Sequence, residues 1–391
     1  MRSTTLRNVL FTTTGLVLTG VVLVPEAAAS PTGRTDDLLQ SNANAIAATG
    51  TVGVLAESVG PRGKRFATAG YADPVAKTPV RPGDTFRIGS STKTFVSTVV
   101  LQLVGEGRIS LDDPVDRWLP GVVSGNGNDG RDITVRQLLQ HTAGLYDYVA
   151  DLPGIASTEG FEANRYRHYE PADLVAIAMK HKPDFAPGAD WKYSNTDYIL
   201  AGMIIEKVTG QSWRKQVERR IIQPLGLRHT TVPGDDPTLP GRHLKGYSNF
   251  GSGAAIDVTD VNMSWGGAAG EIVSTTQDLA SFYQALLRGD LLKEAQLAEM
   301  KSTVPVNEDF NTIWPGARYG LGLMWIPLTC GGGYWSHGGN VNGYSTRDGV
   351  SSDGKRAVVV EETGDGSGAD LKTERAMDRL VDQRFCATNQ K

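Results

Sequence analysis

Apolar and polar positions along this chain change period several times. Two runs, 51–58 and 64–71, alternate apolar with polar residues and are joined by Gly60-Pro61-Arg62-Gly63, which predicts a β-hairpin. A weak helical pattern precedes it at 36–48. From Ser90 the spacing becomes strongly helical: Phe95, Val99, Val100, Leu103 and Val104 cover most of a circumference, so a helix over about 90–105 is expected at the centre of the protein. Residues 111–258 read as helices separated by irregular polar segments, with helices expected at 135–140, 171–180, 197–208 and 213–222 and no strand ladder. Two further helices are expected at 277–287 and 293–301. Strand-like patterns then return at 319–327, 333–337, 343–350 and 356–362, and a last amphipathic helix spans about 369–385.

Strands near both ends of the chain enclosing a long helical insertion predict an α/β lobe built from about 35–93 and 268–386, beside a mainly helical lobe over about 94–267. The seam between such lobes is the usual place for a ligand cleft. No internal repeat is present, and 387–391 reads as a tail.

The first 29 residues stand apart. Arg2 and Arg7 form a basic start, Val9 to Val24 an apolar run, and Ala27-Ala28-Ala29 a small-residue cleavage site, so 1–29 is expected to be a secretory signal and the remainder a secreted, extracellular protein without a membrane anchor. The formal net charge is −4 with no basic stripe, which argues against a nucleic-acid partner. Cys330 and Cys386 are the two cysteines; in an exported chain an even pair favours a disulfide, here tying the final helix to a late strand. The six histidines show no metal-ligand spacing, so neither a metal nor a cofactor is expected.

Three short motifs carry candidate chemistry. In Phe86-Arg87-Ile88-Gly89-Ser90-Ser91-Thr92-Lys93, Ser90 and Lys93 fall one helical turn apart, so the lysine can take the serine's proton. The same spacing recurs at Ser212 and Lys215 and at Ser352 and Lys355, but only Ser90 opens an apolar helix. Tyr193-Ser194-Asn195 stands just before the helix expected at 197–208, where a tyrosine can relay a proton and an asparagine can hold both a lysine amine and a substrate carbonyl. A second copy, Tyr247-Ser248-Asn249, lies in Gly- and Ser-rich coil. In Ser336-His337-Gly338-Gly339-Asn340 a strand-like run meets two glycines, which let a substrate backbone lie against a strand edge, with His337 as a cationic or hydrogen-bonding partner. Each motif alone also has a plain structural reading: Ser90 as an N-cap, Tyr193-Ser194-Asn195 as a turn before a helix, His337 as a strand-end histidine.

In this order the three motifs resemble the penicillin-recognising serine hydrolases: secreted D-alanyl-D-alanine carboxypeptidases and their D-aminopeptidase, D-stereospecific amidohydrolase, esterase and class C β-lactamase relatives. The resemblance runs from about Thr51 to Cys386 and includes His141-Thr142-Ala143-Gly144-Leu145-Tyr146-Asp147-Tyr148, Ser274-Thr275-Thr276-Gln277-Asp278-Leu279 and Tyr319-Gly320-Leu321-Gly322-Leu323. It implies a β-lactamase/transpeptidase-like α/β fold, an antiparallel sheet flanked by helices with a mainly helical lobe and the active site between them. It implies Ser90 as the acylated nucleophile, Lys93 as proton acceptor or charge partner, Tyr193 as general base and acid, Asn195 as lysine and substrate ligand, and His337 as the cleft cation beside the tyrosine. Backbone amides of Ser90 and Asn340 would form the oxyanion hole, and Cys330 and Cys386 fall where the secreted carboxypeptidases have their disulfide.

Two departures bear on substrate. Those carboxypeptidases continue the Gly-Leu strand into an arginine that binds the substrate's terminal carboxylate, and threonines follow the strand histidine; here the strand continues as Met324-Trp325-Ile326 and the histidine is followed by Gly338-Gly339-Asn340. The His-Gly-Gly form is similar to that of D-aminopeptidases and D-specific amidohydrolases. The expectation is therefore a monomeric enzyme that hydrolyses or aminolyses D-aminoacyl amides, esters or peptides, with Trp265, Met324, Trp325 and Trp335 as candidate pocket walls and Gly338, Gly339 and Asn340 as a substrate-binding edge. Alternatives are a D-alanyl-D-alanine carboxypeptidase acting on peptidoglycan peptides, an esterase or β-lactamase of the same fold, and a non-catalytic penicillin-binding or wall-interaction module; β-lactams are candidate ligands. Arg347 is a candidate replacement for the missing cation or a solvent-facing strand residue.

Overall fold

The computed structural model describes residues 37–251, 253–364 and 371–387; the expected export signal lies outside them, as does the tail beyond Ala387. Gly53–Gly60 and Gly63–Asp73 pair antiparallel as the expected hairpin, closing at Gly60 opposite Gly63. With the short strand Thr78–Pro79 they form one end of a ten-stranded sheet whose other strands come from the C-terminal third. Its order is Val304–Pro305, Arg318–Tyr319, Met324–Pro327, Gly333–Ser336, Tyr344–Val350, Ala357–Thr363, Gly53–Gly60, Gly63–Asp73 and Thr78–Pro79, with Gly339–Val341 also paired to Tyr344–Val350. Every pairing is antiparallel.

Alternation along the central strands assigns the two faces. Val54, Ala56, Val358 and Val360 pack against Leu39 and Ile46 of the helix Asp37–Ala47 and Met377, Leu380, Val381 and Phe385 of the helix Lys372–Cys386. Leu55 and Val359 point the other way, into the core around the helix Thr92–Gly105. Eleven of that helix's residues are buried, which is why its apolar pattern runs round most of its circumference. Phe95 stacks on Phe282 of the helix Thr276–Arg288, with ring centroids 3.6 Å apart.

The strand expected over 319–327 is split. Gly320, Leu321 and Gly322 leave the sheet so that the Gly322 carbonyl accepts from Thr94 Oγ1 at 2.7 Å and its amide donates to Leu139 O, docking this loop on the central helix. Two short ribbons, Ser124–Gly125 with Asn128–Asp129 and Tyr247–Ser248 with Ile256–Asp257, interrupt the region read as helices and loops. The helix read as 213–222 takes up a π-helical turn over Glu218–Ile222. Cys330, in the turn after Met324–Pro327, is disulfide-bonded to Cys386 at the end of the last helix.

Candidate active site

The nucleophile turn comes from a short pairing that periodicity did not disclose. Phe86–Arg87 pairs with Val273–Ser274, Gly89 takes φ +49°, and a 3₁₀ turn at Gly89–Ser91 feeds the helix Thr92–Gly105. Ser90 thus stands partly exposed at the mouth of a cleft of about 380 Å³, while Lys93, one turn on, is fully buried. Lys93 Nζ lies 3.1 Å from Ser90 Oγ, 2.7 Å from Asn195 Oδ1 and 2.9 Å from Ala269 O. Burial lowers its pKa to about 7, against the opposing fields of Asp147 and Asp197. Neither other Ser-x-x-Lys match brings its side chains together like this: Ser212 caps a helix through the Lys215 amide, and Lys355 pairs with Asp353.

Tyr193 and Asn195 come from the segment that opens the helix Asn195–Thr209. Asn195 stands between the lysine and a carboxylate, accepting from Lys93 and donating Nδ2 to Asp147 Oδ2 at 2.9 Å. Burial holds Asp147 above the usual carboxylate range. The Tyr193 hydroxyl hydrogen-bonds to Ser90, and its ring lies 4.7 Å from Lys93 Nζ. Its pKa is raised well above that of a free phenol because burial outweighs the Ser90 hydrogen bond. That direction favours Tyr193 as a protonated donor at neutral pH.

His337 is enclosed as well. It is 5% exposed, and burial followed by the Lys93 charge lowers its pKa to about 3, which favours a neutral, hydrogen-bonding imidazole over a cation. A carbonyl only accepts, so Nδ1–H donates to Gly338 O at 2.9 Å and Nε2 accepts from the Tyr319 hydroxyl at 2.8 Å. The ring centroids of His337 and Tyr193 are 6.3 Å apart.

Beyond His337 the chain kinks at Gly338, φ +69°, and resumes as the strand Gly339–Val341, beside the nucleophile turn. A Cβ on Gly339 would stand 2.1 Å from Ile88 O and 2.6 Å from Ser90 N, so only glycine lets this strand reach the turn. The buried Asp348 carboxylate joins the two: it accepts from Ser91 Oγ at 3.0 Å, His337 N at 2.9 Å and Gly338 N at 3.1 Å.

Of the proposed walls, Trp265 lines the cleft, with Tyr148, Val149, Met263 and Val341. Met324, Trp325 and Trp335 do not. Met324 is 2% exposed and packs in the core of the terminal helices, while the Trp325 ring lies across Gly333 of the next strand. Trp335 donates to Ser352 Oγ on the core face. Alternation along Met324–Pro327 sends its side chains into the two faces of the sheet. Arg347 is neither a free cation nor solvent-facing: its side chain is 5% exposed and paired with Glu374 and Asp378.

Asp147, Asp348 and the buried pair His141–Asp197 were not singled out from sequence. His141 Nδ1 lies 2.8 Å from Asp197 Oδ2, its ring packs 4.3 Å from that of Tyr193, and burial disfavours charge on both partners. His141 and Asp147 sit in the run His141–Tyr148 quoted above, but nothing local indicates that both turn back toward Tyr193 and Asn195. Among the described residues no acidic, histidine or cysteine cluster suits a metal ion, and no helix is long and apolar enough to cross a membrane.

A family model described as Beta-lactamase matches residues 39–383, so the chain belongs to the beta-lactamase family. Its fold is the β-lactamase/transpeptidase-like fold of the penicillin-recognising serine hydrolases. Among solved structures, it is similar to a D-stereospecific amidohydrolase from Streptomyces sp. (44% identity, TM-score 0.81, covering 90% of this chain and 98% of that one). It is also similar to a D-amino acid amidase from Ochrobactrum anthropi SV3 complexed with L-phenylalanine amide (28% identity, TM-score 0.78, covering 90% and 99%). Among curated proteins, penicillin-binding protein 4* of Bacillus subtilis is 29% identical over 289 residues, 71% of this chain and 60% of that protein's length. Protein flp of Staphylococcus aureus is 29% identical over 211 residues, 40% of its length. The chain thus spans 60% and 40% of the length of these curated relatives.

Proposed function

We propose that the protein hydrolyses D-aminoacyl amides, esters or short peptides through an acyl-enzyme on Ser90, with Lys93 as the base. The observation that carries this reading is the environment of Lys93 Nζ. A neutral amine has two N–H bonds and one lone pair; Asn195 Oδ1 and Ala269 O take the two hydrogens, and the lone pair is left for the Ser90 hydroxyl at 3.1 Å. A base with a pKa of about 7 is half deprotonated at neutrality and is close to optimal for taking a proton there.

Ser90 Oγ attacks the carbonyl carbon as its proton passes to Lys93. The carbonyl oxygen becomes an oxyanion held by the backbone N–H groups of Ser90 and Asn340. As the tetrahedral species collapses, the Tyr193 phenol gives its proton to the departing nitrogen or oxygen and takes one back from the Lys93 ammonium. Water, or a second amine, then attacks the ester carbon while Lys93 accepts its proton; as the bond from the acyl carbon to Ser90 Oγ breaks, Lys93 returns that proton to Oγ and the neutral amine and free serine are restored.

The preference for D-aminoacyl substrates is supported by the 44% likeness to the Streptomyces amidohydrolase over nearly its whole chain. No cleft-lining residue among those described carries a cation, which favours this reading over a carboxypeptidase that grips a terminal carboxylate. The wall of Tyr148, Val149, Met263, Trp265 and Val341 suits an apolar substrate side chain. We read residues 1–29 as an export signal and the working enzyme as secreted and monomeric. A panel of paired D- and L-aminoacyl amides, esters and dipeptides tests the substrate assignment. Release from D-aminoacyl amides at least tenfold faster than from their L counterparts is expected; equal rates would leave an esterase, and faster release of D-alanine from a D-Ala-D-Ala tripeptide than of ammonia from the matching amide would leave a carboxypeptidase.

A further inference from the structure

We infer that Arg347 and Glu374 are positioning residues for the strand that carries the oxyanion-hole amide, acting through the side chain of Asn340. The inference rests on the assignment of the Ser90 and Asn340 backbone amides made above. Gly339–Val341 alternates like any strand, so its two faces meet different things. On one face Gly339 lies backbone to backbone on the nucleophile turn, with no side chain to fix the strand's height above Ser90. On the other face the Asn340 amide is held at both ends: Arg347 Nη1 donates to its Oδ1 at 3.1 Å, and its Nδ2 donates to Glu374 Oε1 at 3.3 Å.

The holders are themselves fixed. Arg347 Nη2 is 3.1 Å from Glu374 Oε1 and Nε 3.5 Å from Asp378 Oδ1, and both Arg347 and Glu374 side chains are 5% exposed. The guanidinium lies 5.1 Å from the Trp314 ring, whose Nε1 donates to Asp378 at 3.1 Å. Arg347 belongs to the strand Tyr344–Val350, which pairs Asn340 with Ser345, and Glu374 to the first turn of the closing helix. The Asn340 amide is therefore located by two separate elements. An ion pair meant only to join helix to sheet would gain nothing from an asparagine at the cleft rim, whereas an oxyanion donor must be held to within about 0.5 Å.

The test compares N340A, E374A, E374Q and the double variant N340A/E374A with the parent enzyme. Each is assayed for kcat and KM on a D-aminoacyl amide and for inhibition by a boronic acid that forms a tetrahedral adduct on the serine. N340A and E374A are each expected to lower kcat about tenfold with KM within twofold, and boronate affinity should fall in parallel with kcat. The double variant should be no more than twofold slower than N340A, and E374Q, which keeps an acceptor for Asn340, should recover most of the loss. Full kcat in N340A, losses that multiply in the double variant, or E374Q as slow as E374A would overturn the inference. Should E374A not fold, N340A with the boronate decides alone, since Asn340 is exposed. A Ser90→Ala variant that keeps its activity would defeat the underlying assignment instead, which separates the two failures.

Discussion

Lys93 meets Asp147 only through Asn195, at 2.7 Å on one side and 2.9 Å on the other. An amide at that point passes on the carboxylate's field without forming the ion pair that would fix the lysine as an ammonium. The sign of the pH dependence follows from the proposed role of Lys93 as base: with the neutral amine as the working form, kcat/KM should rise with pH through an inflection near 7 and fall away below it. Asn195→Asp would set a carboxylate against Nζ and is expected to move that inflection up by at least one pH unit while slowing the reaction at pH 7. An unmoved inflection in a stopped-flow acylation profile would assign it to another group. Ser90, Lys93, Tyr193 and Asn195 were legible because each lies within a short motif at the start of a helix. Their charge states were not, because those depend on burial by residues distant in sequence. His337 is the clearest case: the residue was legible, but the enclosure that lowers its pKa was not.

At the scale of elements, the decisive contact is between the strand Gly339–Val341 and the turn Gly89–Ser91. Gly339→Ala would place a methyl group 2.1 Å from Ile88 O and 2.6 Å from Ser90 N, both backbone atoms that cannot rotate away. The strand must then lift from the turn, and kcat is expected to fall about 100-fold, the scale of a displacement near 1 Å. A variant with unchanged kcat and a bound boronate would show that the amide of this strand is not used. The hairpin, the central helix and the closing helix were legible from strong periodicity. The pairing of Phe86–Arg87 with Val273–Ser274 and the strand Gly339–Val341 were not, since pieces of two or three residues have no period to read and are set by what they pack against. Met324 and Trp325 show the converse: an apolar strand was visible, but which face each side chain entered was decided by neighbours on other strands.

For the whole molecule, the sequence indicated the order of strands, helices and strands and hence a sheet built from both ends of the chain. It did not indicate the ten-strand register, nor that Asp348, Arg347 and Glu374 would link that sheet to the nucleophile turn and the closing helix. These are contacts between residues far apart in sequence, and no local pattern encodes them. What the assembled molecule does with them is place one serine hydroxyl, one buried amine and one strand edge around a single cleft. The direct test is to mix the enzyme with a D-aminoacyl ester at pH 8, quench within milliseconds and determine the intact and peptide masses. One acyl group is expected, located on the peptide containing Ser90, formed in the parent enzyme and absent from Ser90→Ala. Turnover with no adduct, or an acyl group on any other residue, would contradict it.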